Sequence, residues 1–366
     1  MLFRSGKTPA DASGGSADKN KPYPVDTLDR AVELFASRTG KVVNETPLYS
    51  ALRMALLQDP KPSKIYGVRV DADNYAAALS SLEAADDVTF VSLASETNVA
   101  RLAALKTHVE DMSAQGQKRV GVAMADPAKA KSVNYVAEVK AATASLQSDS
   151  GRMVVVAARG AVTDAATAAM AAIAGFEPHI SMVLKKVREI KATVKIGGQD
   201  VLVNIPPESQ FSPSEIKGLS ELGLIPLIHP SLIVGESTHF ADGQTYSSDA
   251  SVGYIDIVRV LDDIDFRLKA GLIGSIGDAR ITKAGMLQLK TQVDGILGPL
   301  KRRAVIDNFA LDIPVFNVLA LPESTWTATD KSIVTTARAT RSVDMFLSVT
   351  YGPAVHRLKV TLAPTF

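Results

Sequence analysis

Five histidines are the first residues to weigh for chemistry, and their spacing is unhelpful to a catalyst. His108, His179, His229, His239 and His356 are scattered, and none stands at the HxxxH or HExxH spacing that aims two imidazoles at one metal ion. His229 and His239 flank a stretch that reads as a loop before it reads as a metal site. Asp262, Asp263 and Asp265 form a carboxylate cluster of the kind that does acid–base work. With Arg259 and Arg267 one helical turn away on either side, they also make a solvated, ion-paired helix face. Gly271, Gly274 and Gly277 follow a helix, whereas a phosphate-cradling glycine loop follows a strand. The chain holds no GxGxxG, no GxxxxGK[ST] and no GxSxG. It has no cysteine, which excludes disulfides, thiolate metal sites and thiol nucleophiles. No cofactor is expected, and no catalytic residue.

Two basic runs admit two readings. Lys301-Arg302-Arg303 closes a helix, where cations meet the negative end of the helix dipole. The same run would suit contact with an acidic partner, and Lys185-Lys186 with Arg188 poses the same choice.

The elements behind these residues follow a clear rhythm. Residues 1–24 read as an arm and linker, with KTPADASGGSADKNKP too polar to build a core. Asp26 or Thr27 opens a helix that Gly40 ends, and Thr46-Pro47 opens another that stops before Pro60. From KIYGVRV onward, strands and helices alternate: DVTFVSLA, KRVGVAMAD and GRMVVVAARG are apolar strands, and 97–116, 127–147 and 162–175 are helical. Continuous apolar strands alternating with helices predict an α/β (α+β) fold, with mixed β-sheets covered by helices on both faces and extended terminal arms. Two short strands flank Gly197-Gly198, and Ser212-Pro213 opens a short helix. Two long helices cover 251–274 and 282–303, and the end is β-rich around a polar stretch at Trp326. The last strand, RLKVTLAPTF, sets Leu358, Val360 and Leu362 on one face and Arg357, Lys359 and Thr361 on the other. It closes its own sheet or pairs with another molecule.

Composition bounds the rest. The 366 residues allow two or three domains, with 46% hydrophobic and 22% charged residues, an ordinary globular balance. A net charge of +1 gives no reason to expect a direct nucleic-acid partner. The opening residues carry no apolar signal-peptide core and no run is long enough to span a bilayer, so synthesis in a cytoplasm and no membrane insertion are expected.

Taken in order, six stretches resemble the contractile tail sheath proteins of phages and related injection machines. They are PVDTLDRAVELFASRTG with TPLYSALRMALLQDP and KIYGVRV; ALSSLEAADDVTFVSLASET; KRVGVAMAD with RMVVVAARG; AAMAAIAGFEPHISMVLKKVREI; LSELGLIPLI with ADGQTYSSDASVGYIDIVRVLDDIDFRL; and the last long helix with the terminal strand. The likeness spans roughly residues 25 to 362 and rests on order and spacing rather than on one motif. ADGQTYS stands where the family often has Gly-x-Arg-Thr, so the arginine is missing. The usual arm-strand opening is replaced by LFRSGKTP, and the family's large outer insertions are absent.

The resemblance implies a non-enzymatic, self-assembling subunit. It implies a sheath core from 25–72 and 245–366 with a C-terminal arm strand, and an α/β middle domain at 73–244. Subunits would form a helical sheath of stacked hexameric rings around an inner tail tube, bounded by baseplate and tail terminator proteins, in a virion tail. Contraction would drive the tube through a host envelope. Arg357, Leu358, Lys359, Val360, Thr361 and Leu362 would exchange between subunits, Leu2, Phe3 and Arg4 would make N-terminal arm contacts, and Lys301, Arg302 and Arg303 would face the tube. The alternatives are a Rossmann-like enzyme with an unrecognised site, or another self-assembling structural protein.

Overall fold

A computed structural model describes residues 2–5 (as backbone), 15–71, 74–235 and 237–356. The chain divides into two compact units, Met1–Val258 and Arg259–Phe366. The division falls inside a helix rather than at residue 244. Residues of the 25–72 stretch pack in the first unit, because the apolar faces of their two helices are buried in its core.

The first unit begins with β1 (Leu2–Ser5), β2 (Pro22–Pro24), α1 (Leu28–Phe35), β3 (Ser37–Thr39), β4 (Val42–Asn44), α2 (Pro47–Leu56) and β5 (Tyr66–Val70). Helix and strand then alternate through α3 (Tyr75–Ser80), β6 (Phe90–Leu93), α4 (Val99–Ala114), β7 (Val120–Met124), α5 (Tyr135–Thr143), β8 (Met153–Ala157) and α6 (Ala165–Gly175). The unit continues with β9 (Lys186–Val187), β10 (Lys191–Ile196), β11 (Gln199–Asn204), α7 (Pro213–Glu221), β12 (Ile225–Ile228) and β13 (Thr238–Phe240).

Local chemistry sets the helix starts. Thr27 and Thr46 each accept from a backbone N–H in the first turn, and Pro47 needs no partner for a missing one. Ser212 and Glu215 form a reciprocal capping box on α7. Gly40 does not end α1. Its positive φ of 65° turns the β3–β4 hairpin, and α1 already stops at Phe35.

Nine strands form one sheet in the order β2-β5-β1-β6-β7-β8-β12-β13-β9. The run from β5 to β12 is parallel, and β2 and β13 lie antiparallel to their neighbours. Alternation on β8 sends Val154 and Val156 into one core with α1, α2 and α6, and Met153 and Val155 into another with α3, α4, α5 and α7. Both faces are therefore covered, as a parallel sheet requires. The alanine-rich α6 is buried nearly all round and packs closely on the chain near Pro60. A Cβ at Gly175 would collide with the Pro60 carbonyl.

The second unit takes most of α8 (Ile255–Leu272), then α9 (Lys283–Arg302), β14 (Asn308–Asp312), α10 (Pro314–Ala320), α11 (Ala328–Thr340) and β15 (Phe346–Thr350). Its core gathers Val260, Ile264, Val293, Leu297 and Leu300 from the two long helices. A second cluster packs Met286 and Leu289 of α9 against Val315, Val318 and Val334. The β-rich end expected from the sequence thus carries two helices between its strands.

Candidate functional site

Open parallel sheets bind ligands beyond the carboxyl ends of their strands, so the polar residues there come first. After β6, Glu96 is nearly buried and accepts from the Tyr75 hydroxyl (2.9 Å), the Asn98 N–H (2.8 Å) and the Arg101 guanidinium (2.9 Å). Burial works against its charge, yet these donors outweigh it and hold the carboxyl below its ordinary range. Asp164, before α6, accepts from the Ser95 N–H, the Thr167 N–H and the Thr167 hydroxyl.

After β8, Arg159 is 3% exposed and lies between the rings of Tyr135 and Phe211, 4.6 and 4.7 Å from their centroids. It donates to the Ser209 and Gln210 carbonyls and to both carboxylate oxygens of Glu215, at 2.6 and 3.3 Å. The Arg159 hydrogen bonds bring the Glu215 carboxyl down to about 2, and burial lifts the Tyr135 phenol to about 12. Each of these side chains ties one strand end to a helix start or a loop.

The histidines are likewise engaged. Arg119 is fully buried and donates to the Leu82 and Ala85 carbonyls, the Gln117 side chain and His108 Nε2 at 2.8 Å. Arginine can only donate, so this imidazole nitrogen is the acceptor and His108 is neutral. Burial, with the Arg119 charge second, lowers the His108 pKa to about 4. His229 bridges Gln210 and Thr238, and His239 Nδ1 sits 3.1 Å from the Ser237 carbonyl. Among the described residues no three His, Asp or Glu side chains gather in a group able to hold a metal ion. Of the carboxylate cluster, Asp263 pairs with Arg267 and Asp265 with Lys269, both at 2.7 Å along α8.

The surfaces suited to assembly lie elsewhere. β14 and β15 pair antiparallel, with Phe309, Leu311, Leu347 and Val349 turned to the core of the second unit. Among the described residues neither strand has another partner, so both outer edges of this sheet are open. On its outer face Phe346 is 60% exposed. β15 ends seven residues before Arg357. The expected exchange strand, Arg357, Leu358, Lys359, Val360, Thr361 and Leu362, lies outside the described residues.

Leu2, Phe3 and Arg4 are placed in β1, whose backbone runs parallel between β5 and β6 of the same chain. Lys301, Arg302 and Arg303 are all exposed at the end of α9. Lys301 Nζ donates to Asn308 Oδ1 at 2.8 Å, and the Arg303 N–H caps the helix on the Pro299 carbonyl. The sequence shows the end of the chain to be β-rich, but the pairing of β14 with β15 is a feature only the structure shows. The signal in the sequence is the two-residue spacing of Phe309 and Leu311, and of Leu347 and Val349.

No family model matches the chain, and no curated protein is similar to it in sequence. Solved structures are similar to it in fold. A chain of the six-fold symmetrised cryo-EM structure of the anti-feeding prophage baseplate superimposes with a TM-score of 0.68 at 12% identity, over 100% of this chain and 93% of that one. The fold is that of contractile sheath and baseplate proteins. The sheath complex of the PVC extracellular contractile injection system, in its contracted state, matches with a TM-score of 0.63 at 13% identity, over 99% of this chain and 90% of that one. A sheath tail protein of Desulfitobacterium hafniense overlaps 67% of this chain and 53% of its own, at 17% identity and a TM-score of 0.49. Among the described residues no helix is long and apolar enough to cross a membrane.

Proposed function

We propose that this chain is a structural subunit of a contractile sheath that polymerises helically around an inner tube. The observation that carries the reading is the end-to-end likeness to a sheath complex and to a baseplate chain, both parts of multi-subunit contractile machines. The second unit supports it chemically. Among the described residues the two-stranded sheet has both edges open, and seven residues after it comes Arg357–Leu362, a stretch of alternating apolar and polar residues. Adding Arg357–Leu362 of a neighbouring subunit to that edge would set Leu358, Val360 and Leu362 beside the apolar face of β14 and β15 and pair their unused backbone groups.

Such flexible links let subunits rotate without separating, so the extended sheath is a stored state that contraction releases. Partners on this reading are further copies of the chain, an inner tube, and baseplate and tail terminator proteins. The subunit needs no cofactor and performs no catalysis, and its place is the tail of a virion or injection machine. The exposed Lys301, Arg302 and Arg303 would meet the tube. The baseplate likeness favours one variant, in which the subunit forms a ring at the baseplate end of the sheath.

Negative-stain microscopy of the purified protein tests this. Striated tubes or stacked rings are expected, and discrete small particles at high concentration would sink the reading. Truncation at Ala354 is expected to leave a folded protein that no longer polymerises. Normal tubes from the truncated chain would remove the C-terminal exchange.

A further inference from the structure

β10 and β11 form a hairpin outside the nine-stranded sheet, and among the described residues neither strand pairs with any other. Six residues of strand span about 20 Å. The turn residues Gly197 and Gly198 both have positive φ, and a Cβ added to either would meet nothing within 4 Å. The tip therefore projects into open space. Ala192, Val194, Ile196, Val201 and Val203 share one face of the hairpin. At its root Ala192 lies in the core and Val203 packs against it. Toward the tip Ile196 is 59% exposed, and on the other face Leu202 is 57% exposed. Apolar side chains thus continue past the core that covers them at the root.

The two edges of the hairpin differ. A two-residue turn closes on a pair that exchanges both backbone hydrogen bonds, here Ile196 and Gln199. Bonding alternates from there, so Lys191, Thr193 and Lys195 turn their backbone groups out of β10, and Asp200 and Leu202 turn theirs out of β11. The β10 edge is closed at its root, where the Lys191 carbonyl accepts from the Val162 N–H at 2.9 Å and the Lys191 N–H donates to Thr163 Oγ1 at 3.0 Å. Farther out it carries Lys195, and lysines are a common device for keeping an edge from pairing. The β11 edge has neither guard. Gln199, Asp200, Val201 and Leu202 are all exposed, in a strand without lysine, proline or bulge. Its one charge, Asp200, is neutralised by Lys195 across the hairpin at 2.8 Å.

An edge with no net charge offers little to a charged partner, but it fits itself. Laid antiparallel about a two-fold axis at Val201, Asp200 of each copy exchanges backbone hydrogen bonds with Leu202 of the other, and no like charges stand opposite. Val201 then meets Val201 of the second copy, and the apolar faces of the two hairpins join into one. This pairing points the hairpins in opposite directions and keeps the bodies of the two copies apart. Antiparallel pairing of β10 on a second β11 would point both hairpins the same way and drive the bodies together.

We propose that the β11 edge is a docking site for the same edge of a second copy, giving a four-stranded two-fold sheet in the order β10-β11-β11-β10. A single strand edge falls well short of the roughly 800 Å² per partner of a standard stable interface, so the contact is reversible and concentration-dependent. It goes beyond the sheath reading, because a two-fold contact closes at two copies and a helical sheath grows through heterologous ones.

The cysteine-free chain makes the test clean. Full-length Val201→Cys is oxidised mildly, with full-length Val133→Cys, at a fully exposed position, as the measure of chance collision. The non-bonded pair on the axis sets its Cα atoms about 4.5 Å apart, within the reach of a disulfide. Disulfide-linked dimer on a non-reducing gel should form at least about tenfold faster from Val201→Cys, because the held contact raises the effective concentration. Adding Leu202→Pro to Val201→Cys removes an N–H that faces away from β10, and should return the rate to that of Val133→Cys. Leu202→Lys guards the edge instead and gives the same outcome should the proline variant misfold. Equal rates for Val201→Cys and Val133→Cys, or undiminished linking with Leu202→Lys, would overturn the proposal. Striated tubes with equal rates would overturn the two-fold contact and leave the sheath reading standing. Preferential Val201 dimers without tubes would do the reverse.

Discussion

Glu215→Gln is the substitution whose consequences can be worked out furthest. The Glu215 side chain is 12% exposed and that of Arg159 is 3%. The Arg159 bonds carry the Glu215 carboxyl from an ordinary 4.5 to about 2. At about 1.4 kcal/mol per pKa unit, that displacement corresponds to roughly 3 kcal/mol of stability in the first unit. Removing the charge leaves a buried guanidinium with two carbonyls and two aromatic faces but no anion, a loss of about 3–5 kcal/mol in buried pairs generally. We expect Glu215→Gln to cost about 3 kcal/mol at pH 7 and Arg159→Met somewhat less, because the carboxylate keeps the Ser212 N–H. The double variant should cost clearly less than the sum, by at least about 1.5 kcal/mol. The pH dependence has a definite sign. The folded pKa is depressed, so the stabilisation is complete above about pH 5 and fades as pH falls toward 2. The penalty of Glu215→Gln should therefore roughly halve near pH 3. Urea unfolding followed by far-UV circular dichroism is the assay, since the single tryptophan, Trp326, lies in the second unit and does not report this site. Single-variant costs below about 1 kcal/mol, or costs that simply add, would refute the coupled-pair argument.

Three further outcomes are expected. His108 should titrate near pH 4 in a two-dimensional NMR titration, and because its folded pKa lies below the unfolded 6.5, protein stability should decline as pH falls from about 6.5 to 4; a midpoint near 6.5 would contradict the buried Arg119 contact. Gly175→Ala should lower thermal stability by about 2 kcal/mol through collision with the Pro60 carbonyl, whereas Gly274→Ala, with nothing near its Cβ position, should change it by less than about 0.5; equal melting shifts would disprove the close-packing account. Replacing Lys301, Arg302 and Arg303 together by Glu should leave self-assembly intact and abolish co-sedimentation with tube subunits, and undiminished, salt-independent co-sedimentation would remove that surface from the tube contact.

What could be read from the sequence follows from how strongly each element is buried. DVTFVSLA, KRVGVAMAD and GRMVVVAARG are covered on both faces, so their apolar runs announced strands. α11 was not legible as a helix because only Val334 is buried along it and its Thr335 and Thr336 are β-branched. The one signal was the Thr327-to-Asp330 capping box. Gly40 misled for a specific reason: the left-handed backbone that ends many helices also turns hairpins, and here Ser37–Thr39 pairs with Val42–Asn44. α5 begins at Tyr135, because residues 127–134 expose Lys131 and Val133 and present no apolar stripe to a neighbour. β1 was invisible as an interior strand. Four residues are too few for a period, and its partners lie more than sixty residues on. For the assembly surfaces, the alternation of the β-rich end was legible, but which strands pair with which is a tertiary choice that period alone leaves open.

The two units use their polar groups in opposite ways, and this bears on how such a subunit would respond to assembly. In the first unit Glu96, Arg119, Arg159 and Asp164 each bond to two or more groups, linking strand ends to helices and loops. In the second unit the ion pairs of α8 lie on a solvated helix face, and among the described residues the sheet there has two strands. Two-stranded sheets are marginal by themselves and gain stability from a third strand. If a neighbour's terminal strand joins β14–β15, the second unit should be the part that assembly stabilises. Trp326 sits against the Met286–Val318 cluster of that unit, so its fluorescence reports the second unit directly. The fluorescence melting point should rise by several degrees in assembled protein over the Ala354 truncation, while the ellipticity change of the first unit stays within about one degree. Equal shifts in both signals would mean that assembly stiffens the whole chain and that the open-edged sheet has no special part in it.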